Sequence, residues 1–205
     1  MRILSRPLLA LALLLTALPA VAAQPAPAAK PATTTVILQT TAGDIHIALD
    51  HIRAPHSAQN FLAYVDSGLF GRMTFYRAMT AVSDGSVGMI QGGMGNNLRG
   101  TMPPVPHEPT YTTGLKHVDG AVSMAYTGNP NSARTEFFIV VGEIPAYDGM
   151  PGSKPGYAVF GKVTRGMDVV RKILLMQKTK GGRNANLQDQ MLVDPVVITG
   201  ARKGP

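Results

Sequence analysis

Few of the side chains that usually carry covalent or metal catalysis occur in a productive pattern in this sequence. The chain has no Cys, which excludes thiol enzymes, disulfide frameworks and zinc-thiolate sites. Ser123 and Ser132 lie outside any G-x-S-x-G turn, so no hydrolase triad is indicated. His46, His51 and His56 recur at intervals of five, which suits neither a helical metal pair nor one strand face. We therefore expect surface histidines and no metal site.

One arginine has an unusually apolar setting. Arg77 follows Phe75 and Tyr76 and precedes Met79 in a stretch with β character. An arginine stays protonated and presents several N–H donors from a planar head. Donors of this kind stabilise electron density that develops on a reacting atom. Many strand arginines are ordinary solvated residues, and from the residues around Arg77 alone that interpretation stays open.

The elements that must position these residues are mostly short strands. Apolar and β-branched runs punctuated by Gly predict a first hairpin with its turn at 42–44, and eight strands in all, at 35–39, 45–49, 73–79, 87–91, 121–125, 136–141, 157–163 and 196–199. Helical periodicity occurs twice, from Pro55 to a stop at Gly68 and from Met167 to Met176. This order predicts a closed or nearly closed β-barrel with a helix at each end.

The N-terminal region has the pattern of an export signal followed by a tether. Arg2 and Arg6 precede the apolar run 8–18, and residues 19–23 are small, as in a signal peptide spanning residues 1–23. The run is shorter than the roughly 20 residues of a spanning helix, which disfavours a membrane anchor. Residues 24–34 form a Pro- and Ala-rich tether. We expect a periplasmic protein, cleaved near Ala23, without stable membrane insertion, whose folded domain spans residues 35–202.

Composition and charge narrow the class of protein further. The 205 residues are 45% hydrophobic and 15% charged, with mean hydropathy +0.09, which excludes a polytopic membrane protein and a disordered chain and suits one domain. The net charge is +7, and it falls to +5 once Arg2 and Arg6 leave with the signal. The basic residues are dispersed and form no stripe, so we expect no nucleic-acid partner.

Five blocks carry a resemblance to a known family. They are TFYR at 74–77, MIQGG at 89–93, GLKH at 114–117 with VSMA at 122–125, EFFI at 136–139, and YAVFGKV at 157–163. In this order they resemble the cyclophilins, a family of peptidyl-prolyl cis-trans isomerases, and they are most similar to its exported bacterial branch. The resemblance implies a mainly β fold, a closed eight-stranded antiparallel barrel capped by two helices. It also implies a monomeric isomerase without cofactor or metal, whose partners are proline-containing polypeptides.

The resemblance also implies roles for individual residues. Arg77 is expected to be catalytic, because rotation of an X-Pro bond localises the lone pair of the prolyl nitrogen, where a donor stabilises the twisted state. Four apolar side chains are expected to hold the proline ring, with the last at the edge of the pocket: Met89, Phe138, Tyr147 and Tyr157. The peptide itself is expected to bond to the Gln91 side chain and to the main chain of Ala125, Tyr126 and Thr127.

The sequence departs from the family at several of these positions. Glu136 replaces a glutamine, and its carboxylate is expected to lie close enough to Arg77 to orient the guanidinium, the alternative being that it points to solvent. Tyr147 and Tyr157 replace the tryptophan and histidine of eukaryotic members, so weak binding of the drug cyclosporin is expected. The connection after the Arg77 strand is long and ends in Gly88 instead of phenylalanine, which leaves one wall of the pocket in doubt.

Two other functions fit the same residues. The barrel would be a chaperone that grips proline-containing segments with little or no isomerase activity, an alternative that Glu136 and Gly88 favour. A structural cell-envelope protein is the third possibility, supported by the tether alone. Binding without catalysis in a proline-peptide assay separates the chaperone from the enzyme.

Overall fold

The computed structural model describes residues 32–95, 97, 99–181 and 187–205. The predicted signal peptide at 1–23, and the predicted tether up to residue 31, lie outside these ranges. The first strand begins at Thr33. The strand β1 therefore begins two residues before the predicted domain boundary at residue 35.

Eight strands form one closed barrel. Their chain order is β1 (Thr33–Thr40), β2 (Gly43–Asp50), β3 (Thr74–Thr80), β4 (Gly88–Gly93), β5 (Ala121–Met124), β6 (Phe137–Val141), β7 (Ala158–Arg165) and β8 (Met191–Lys203). Around the barrel the order is β1-β2-β7-β5-β6-β4-β3-β8, with every neighbouring pair antiparallel and β8 paired to β1. The predicted eight-stranded antiparallel barrel is confirmed.

In the part of the chain that the structure describes, three α-helices accompany the strands: α1 (Pro55–Asp66), α2 (Thr110–Thr113) and α3 (Met167–Leu174). The helix α1 begins at Pro55 as predicted, because proline's fixed φ suits a first helical turn. The single turn α2 is too short to show helical periodicity and was not predicted. Within the described ranges, no helix is long and apolar enough to cross a membrane.

The barrel interior is filled by alternating apolar side chains and a cluster of aromatic rings. In β2, Ile45, Ile47 and Leu49 are fully buried, and the residues between them are partly exposed. Phe61 of α1 inserts among the rings of Phe70, Phe137 and Phe160, with centroids 4.8, 5.4 and 5.3 Å away. The helix thus closes the core that the strands surround.

A second apolar cluster lies on the outer face of the barrel. Every residue of β6 is buried, which is unusual for a strand with one face toward a barrel interior. Phe137, Ile139 and Val141 belong to the interior cluster, while Phe138 and Val140 belong to the outer one. The remaining buried members of the outer cluster are Met89, Ala121, Ile144 and Val159. The sheet therefore carries a built apolar surface outside the barrel.

Candidate active site

A cavity of about 780 Å³ opens beside this outer cluster. All ten residues predicted for the site line it: Arg77, Met89, Gln91, Ala125, Tyr126, Thr127, Glu136, Phe138, Tyr147 and Tyr157. They come from β3, β4 and β6 and from the segments that follow β5 and β6. The structure thus brings together every site residue that the sequence predicted, from Arg77 to Tyr157.

Arg77 is held at the cavity by two glutamine side chains. Its Nη1–H donates to Gln91 Oε1 at 2.7 Å, while its Nε–H and Nη2–H donate to Gln190 Oε1 at 2.9 and 2.6 Å. A guanidinium has one N–H at Nε and two at each terminal nitrogen. Each terminal nitrogen therefore keeps one N–H for a ligand in the cavity, on a head group that is fixed on two edges.

A β-bulge explains how two neighbours on one strand both reach Gln91. In β3 the register with β4 shifts between Phe75 and Arg77, so that Phe75 pairs with Gly92 and Arg77 already pairs with Gln91. Tyr76 is the extra residue of the bulge. In a regular strand its side chain would point to the opposite face of the sheet from that of Arg77. Instead both side chains line the cavity, and the Gln91 Nε2–H donates to the Tyr76 hydroxyl oxygen at 2.9 Å.

The apolar part of the cavity is built from three mutually packed aromatic rings. The ring centroid of Phe138 lies 5.5 Å from that of Tyr147 and 5.2 Å from that of Tyr157. The centroids of the two tyrosine rings are 5.2 Å apart, and all three pairs have steep interplanar angles. Met89 is almost fully buried beneath the cavity. Burial also raises the pKa of the Tyr147 hydroxyl, so this residue presents a neutral ring. The result is a slot lined on several sides by rigid hydrocarbon.

His117 supports these rings from behind. Its ring stacks on Phe138 at 5.7 Å with an interplanar angle of 11°, while Nδ1 lies 2.7 Å from Asp148 Oδ1 and Nε2 lies 3.1 Å from Ser123 Oγ. Burial lowers the pKa of His117 despite the hydrogen bond to Asp148. This Ser-His-Asp series is not a hydrolase site, since Ser123 is 0% exposed and His117 1% exposed. It positions Phe138 instead.

Glu136 does not contact Arg77 as predicted. Its Oε2 accepts a hydrogen bond from the Tyr76 hydroxyl, and its Oε1 accepts hydrogen bonds from the Gly95 N–H and the Thr135 hydroxyl, both at 3.1 Å. Among the described residues, no basic group lies within 4.0 Å of this carboxylate. The bulge places Tyr76 between the two charges, so the expected direct ion pair is wrong. Glu136 lines the cavity, which also excludes the alternative of a carboxylate pointing only to solvent.

The predicted peptide-binding main chain is partly occupied. The Ala125 N–H donates to the Glu136 carbonyl oxygen at 2.8 Å, and the Thr127 carbonyl oxygen accepts from the Asn129 N–H at 2.9 Å. The Tyr126 hydroxyl donates to the Gly156 carbonyl oxygen at 3.0 Å, which holds that ring at the cavity rim. Of the groups predicted here, the main chain of Tyr126, the carbonyl of Ala125 and the N–H of Thr127 are therefore left for a peptide.

Gly88 does not open a wall of the pocket. A Cβ at this position would lie 2.4 Å from the Met79 carbonyl oxygen and 3.0 Å from a methyl group of Leu174 in α3. Position 88 thus faces α3 and the strand backbone, away from the cavity. Near Gln190 in the sequence, Leu187 and Met191 also line the cavity in addition to the predicted residues.

The residues that were missed include Tyr76 and Gln190, which bond to Gln91 and Arg77, and neither carries a clear signal in the sequence. Tyr76 was assigned to the strand around Arg77, but alternation cannot reveal a bulge. Gln190 belongs to the polar stretch before β8, 113 residues after Arg77, and only folding brings the two together. Its main chain also bonds to β3, because the Ala78 N–H donates to the Gln190 carbonyl oxygen at 2.8 Å.

The predicted surface histidines include one error. His51 is 6% exposed and its Nε2 lies 2.8 Å from the Thr34 hydroxyl, because the turn after β2 folds back over the start of β1. Across the described residues, no group of three or more His, Asp or Glu side chains is arranged to hold a metal ion.

Comparison with known proteins agrees with this geometry. The family model described as cyclophilin type peptidyl-prolyl cis-trans isomerase/CLD matches residues 35–203. Peptidyl-prolyl cis-trans isomerase A of Dickeya dadantii is 38% identical over 174 residues, covering 83% of this chain and 84% of the relative. Peptidyl-prolyl cis-trans isomerase cyp18 of Streptomyces antibioticus is 39% identical over 174 residues, covering 82% and 97%.

A solved structure shares the fold. A crystal structure of a cyclophilin type peptidyl-prolyl cis-trans isomerase from Cryptosporidium parvum superposes with a TM-score of 0.63 at 21% identity, covering 84% of this chain and 98% of that chain. The family match includes all of the barrel except the first two residues of β1, and the two relatives are covered over 84% and 97% of their length. This chain belongs to the cyclophilin-type peptidyl-prolyl cis-trans isomerases.

Proposed function

We propose that Arg77 is the catalytic residue of this isomerase and that its substrates are exported proteins that fold in the periplasm. The observation that carries the first part is the guanidinium fixed by Gln91 and Gln190 at the edge of an aromatic slot. The reaction is rotation about the bond before proline, which requires no bond to break.

The chemistry follows from the resonance of the peptide bond. Rotation has a barrier of about 18–20 kcal/mol because the nitrogen lone pair is delocalised into the carbonyl. In the twisted state that lone pair is localised on nitrogen and accepts a hydrogen bond, which the planar amide accepts poorly. A free N–H of Arg77 directed at the prolyl nitrogen therefore binds the transition state more tightly than either planar isomer. Lowering the barrier by about 7 kcal/mol corresponds to roughly 10⁵-fold acceleration.

The remaining site residues hold the substrate while one side of the bond turns. The slot of Met89, Phe138, Tyr147 and Tyr157 holds the proline ring, whose apolar faces match its hydrocarbon walls. The main chain of Tyr126 and the Ala125 carbonyl bind the backbone beside the proline. The proline ring is held in place while the carbonyl group of the preceding substrate residue can turn. This directs the substrate toward the twisted geometry.

The decisive experiment compares Arg77→Ala with wild type on a short proline peptide, measuring isomerisation rate and peptide binding separately. We expect kcat/KM to fall by roughly 10²- to 10³-fold, the usual effect of removing one transition-state donor, with binding retained. Arg165→Ala, which removes an exposed arginine at the end of β7, is the matched control and should keep the wild-type rate. A wild type that binds the peptide well without accelerating isomerisation would establish the chaperone alternative instead.

Export is supported by the first 23 residues alone, where a basic start, an apolar run and small residues follow one another. Expression of the full chain in a bacterial host, fractionation and N-terminal sequencing test it. We expect a periplasmic protein that begins near Gln24. An intact N-terminus in the cytoplasmic fraction would overturn this part of the proposal and leave the assignment of Arg77 untouched.

A further inference from the structure

Four side chains form a continuous hydrogen-bond series that ends on the proposed catalytic residue. The Tyr76 hydroxyl donates to Glu136 Oε2, the Gln91 Nε2–H donates to the Tyr76 oxygen at 2.9 Å, and Arg77 Nη1–H donates to Gln91 Oε1 at 2.7 Å. The series crosses from Glu136, which directly precedes β6, to β3, then to β4 and back to β3. It connects a carboxylate to a guanidinium that it does not touch.

The two ends of this series determine the direction of every hydrogen bond in it. An ionised carboxylate only accepts, and a guanidinium only donates. The two members between them, a hydroxyl and a carboxamide, can each do both. With Glu136 at one end and Arg77 at the other, a single arrangement satisfies all four groups, and in it the oxygen of Gln91 faces the guanidinium.

Tyr76 is suited to donate to Glu136 and to accept from Gln91. Burial, and next the nearby charge of Glu136, raise its pKa, so the hydroxyl stays protonated and keeps its donor role. Its oxygen then has a lone pair left for Gln91. With glutamine at position 136 the amide would be able to donate to Tyr76 instead, and the reversed series would turn the NH₂ group of Gln91 toward Arg77.

We propose that the Tyr76–Glu136 pair is a positioning device of this enzyme, which locks the Gln91 carboxamide in one orientation and through it holds the Arg77 guanidinium toward the substrate. The inference rests on the proposed catalytic role of Arg77. Tyr76 and Glu136 are positioning residues in it, and neither reacts with the substrate. It differs from a direct effect of the Glu136 charge on the substrate, which would not need Tyr76.

Three variants test it: Tyr76→Phe, Glu136→Gln and the double variant. Tyr76→Phe keeps the carboxylate and the ring but breaks the series, so we expect kcat to fall on the order of 10-fold with KM little changed, as for a misaligned catalytic group. Glu136→Gln should lower kcat by a smaller factor. The double variant should be no slower than Tyr76→Phe alone, because both changes act on one series.

A spectroscopic measurement keeps the test independent of activity. In ¹⁵N-edited spectra of the wild type we expect one sharp Arg77 Nε–H signal and two resolved Gln91 Nε2–H signals. Broadened or shifted signals are expected in Tyr76→Phe. Glu143→Gln, which neutralises an exposed carboxylate, is the charge-matched control and should leave spectrum and kcat unchanged. Urea midpoints establish that each variant is folded.

The outcomes separate this inference from the proposed function. Unchanged kcat and unchanged Arg77 signals in Tyr76→Phe, in a protein whose activity is lost on Arg77→Ala, would overturn the inference alone. A loss of kcat in Glu136→Gln with none in Tyr76→Phe would assign the effect to the charge of Glu136 and also overturn it. An Arg77→Ala variant as fast as wild type would overturn the proposed function itself.

Discussion

At the scale of single residues, Tyr147 departs from the family in the aromatic slot and changes this binding surface without removing it. Tyr147 occupies the segment where eukaryotic cyclophilins place the tryptophan that contacts cyclosporin. The structure packs its ring at steep angles against Phe138 and Tyr157, so the slot keeps three aromatic walls. A tyrosine offers less apolar area than a tryptophan, and its hydroxyl needs a polar neighbour or water.

We therefore expect cyclosporin to inhibit the wild-type isomerase weakly, well above the nanomolar range. Tyr147→Trp should strengthen inhibition by about tenfold or more, because tryptophan is the most effective anchoring side chain at such contacts. The measurement is an inhibition curve for both proteins with one proline peptide. Nanomolar inhibition of the wild type, or equal curves for the two, would contradict the role given to this position.

At the scale of elements, a distant carboxylate fixes the helix that closes the barrel. The helix α1 has no hydrogen bond from a capping side chain at Ala54. Instead Glu108, 8% exposed, accepts the N–H groups of His56 and Ser57 at 2.9 Å each and the Ser57 hydroxyl at 2.6 Å. The carboxylate satisfies two of the first N–H groups of the helix and complements its dipole. It also attaches the long connection before α2 to the helix α1.

Glu108→Ala should lower the free energy of unfolding by about 1–3 kcal/mol, because it leaves these donors unsatisfied in a buried place. Urea denaturation measures the change as a lower midpoint with an unchanged m-value. Glu143→Ala, at an exposed loop position, is the control and should be neutral. If both variants unfold at the wild-type midpoint, Glu108 is not the cap that the geometry indicates.

At the scale of the whole molecule, two apolar clusters share one sheet, and a titratable residue is buried in the outer one. His117 has a pKa lowered by burial, with the Asp148 hydrogen bond opposing the shift. Burial works against ionisation of Asp148, yet its hydrogen bonds from His117 lower the pKa of this carboxyl overall. Below about pH 6.5 the unfolded chain therefore binds a proton at His117 that the native protein resists.

The free energy of unfolding should consequently fall as the pH is lowered from 7 toward 5, since the native state favours neutral His117. His117→Gln removes this titration, and its urea midpoint should vary less over the same range. His56→Gln, at an exposed histidine, should retain the wild-type slope. Equal slopes in all three proteins, or a wild-type NMR titration of His117 at an ordinary histidine pKa, would show that burial does not hold the ring neutral.

Much of the fold followed from local patterns. The alternation in β2, the run of buried residues in β6 and the proline at the start of α1 each report on the immediate surroundings of the chain, so periodicity located them within a few residues. The ordered blocks then indicated the barrel and ten of the residues that line the cavity. The expectations that the structure did not bear out depend on contacts between distant parts of the chain. They concern the Arg77–Glu136 ion pair, the pocket wall at Gly88 and the exposure of His51.

The sequence by itself determined the strands, the two longer helices, the family and ten of the residues that line the cavity, because side-chain type and spacing carry that information directly. The tertiary structure decided which of those side chains touch. A bulge of one residue turned Tyr76 toward Glu136, 60 positions away, and barrel closure brought Gln190 to Arg77 across 113 positions. Hydrogen bonds require a distance and an angle, and neither is specified until the strands have paired.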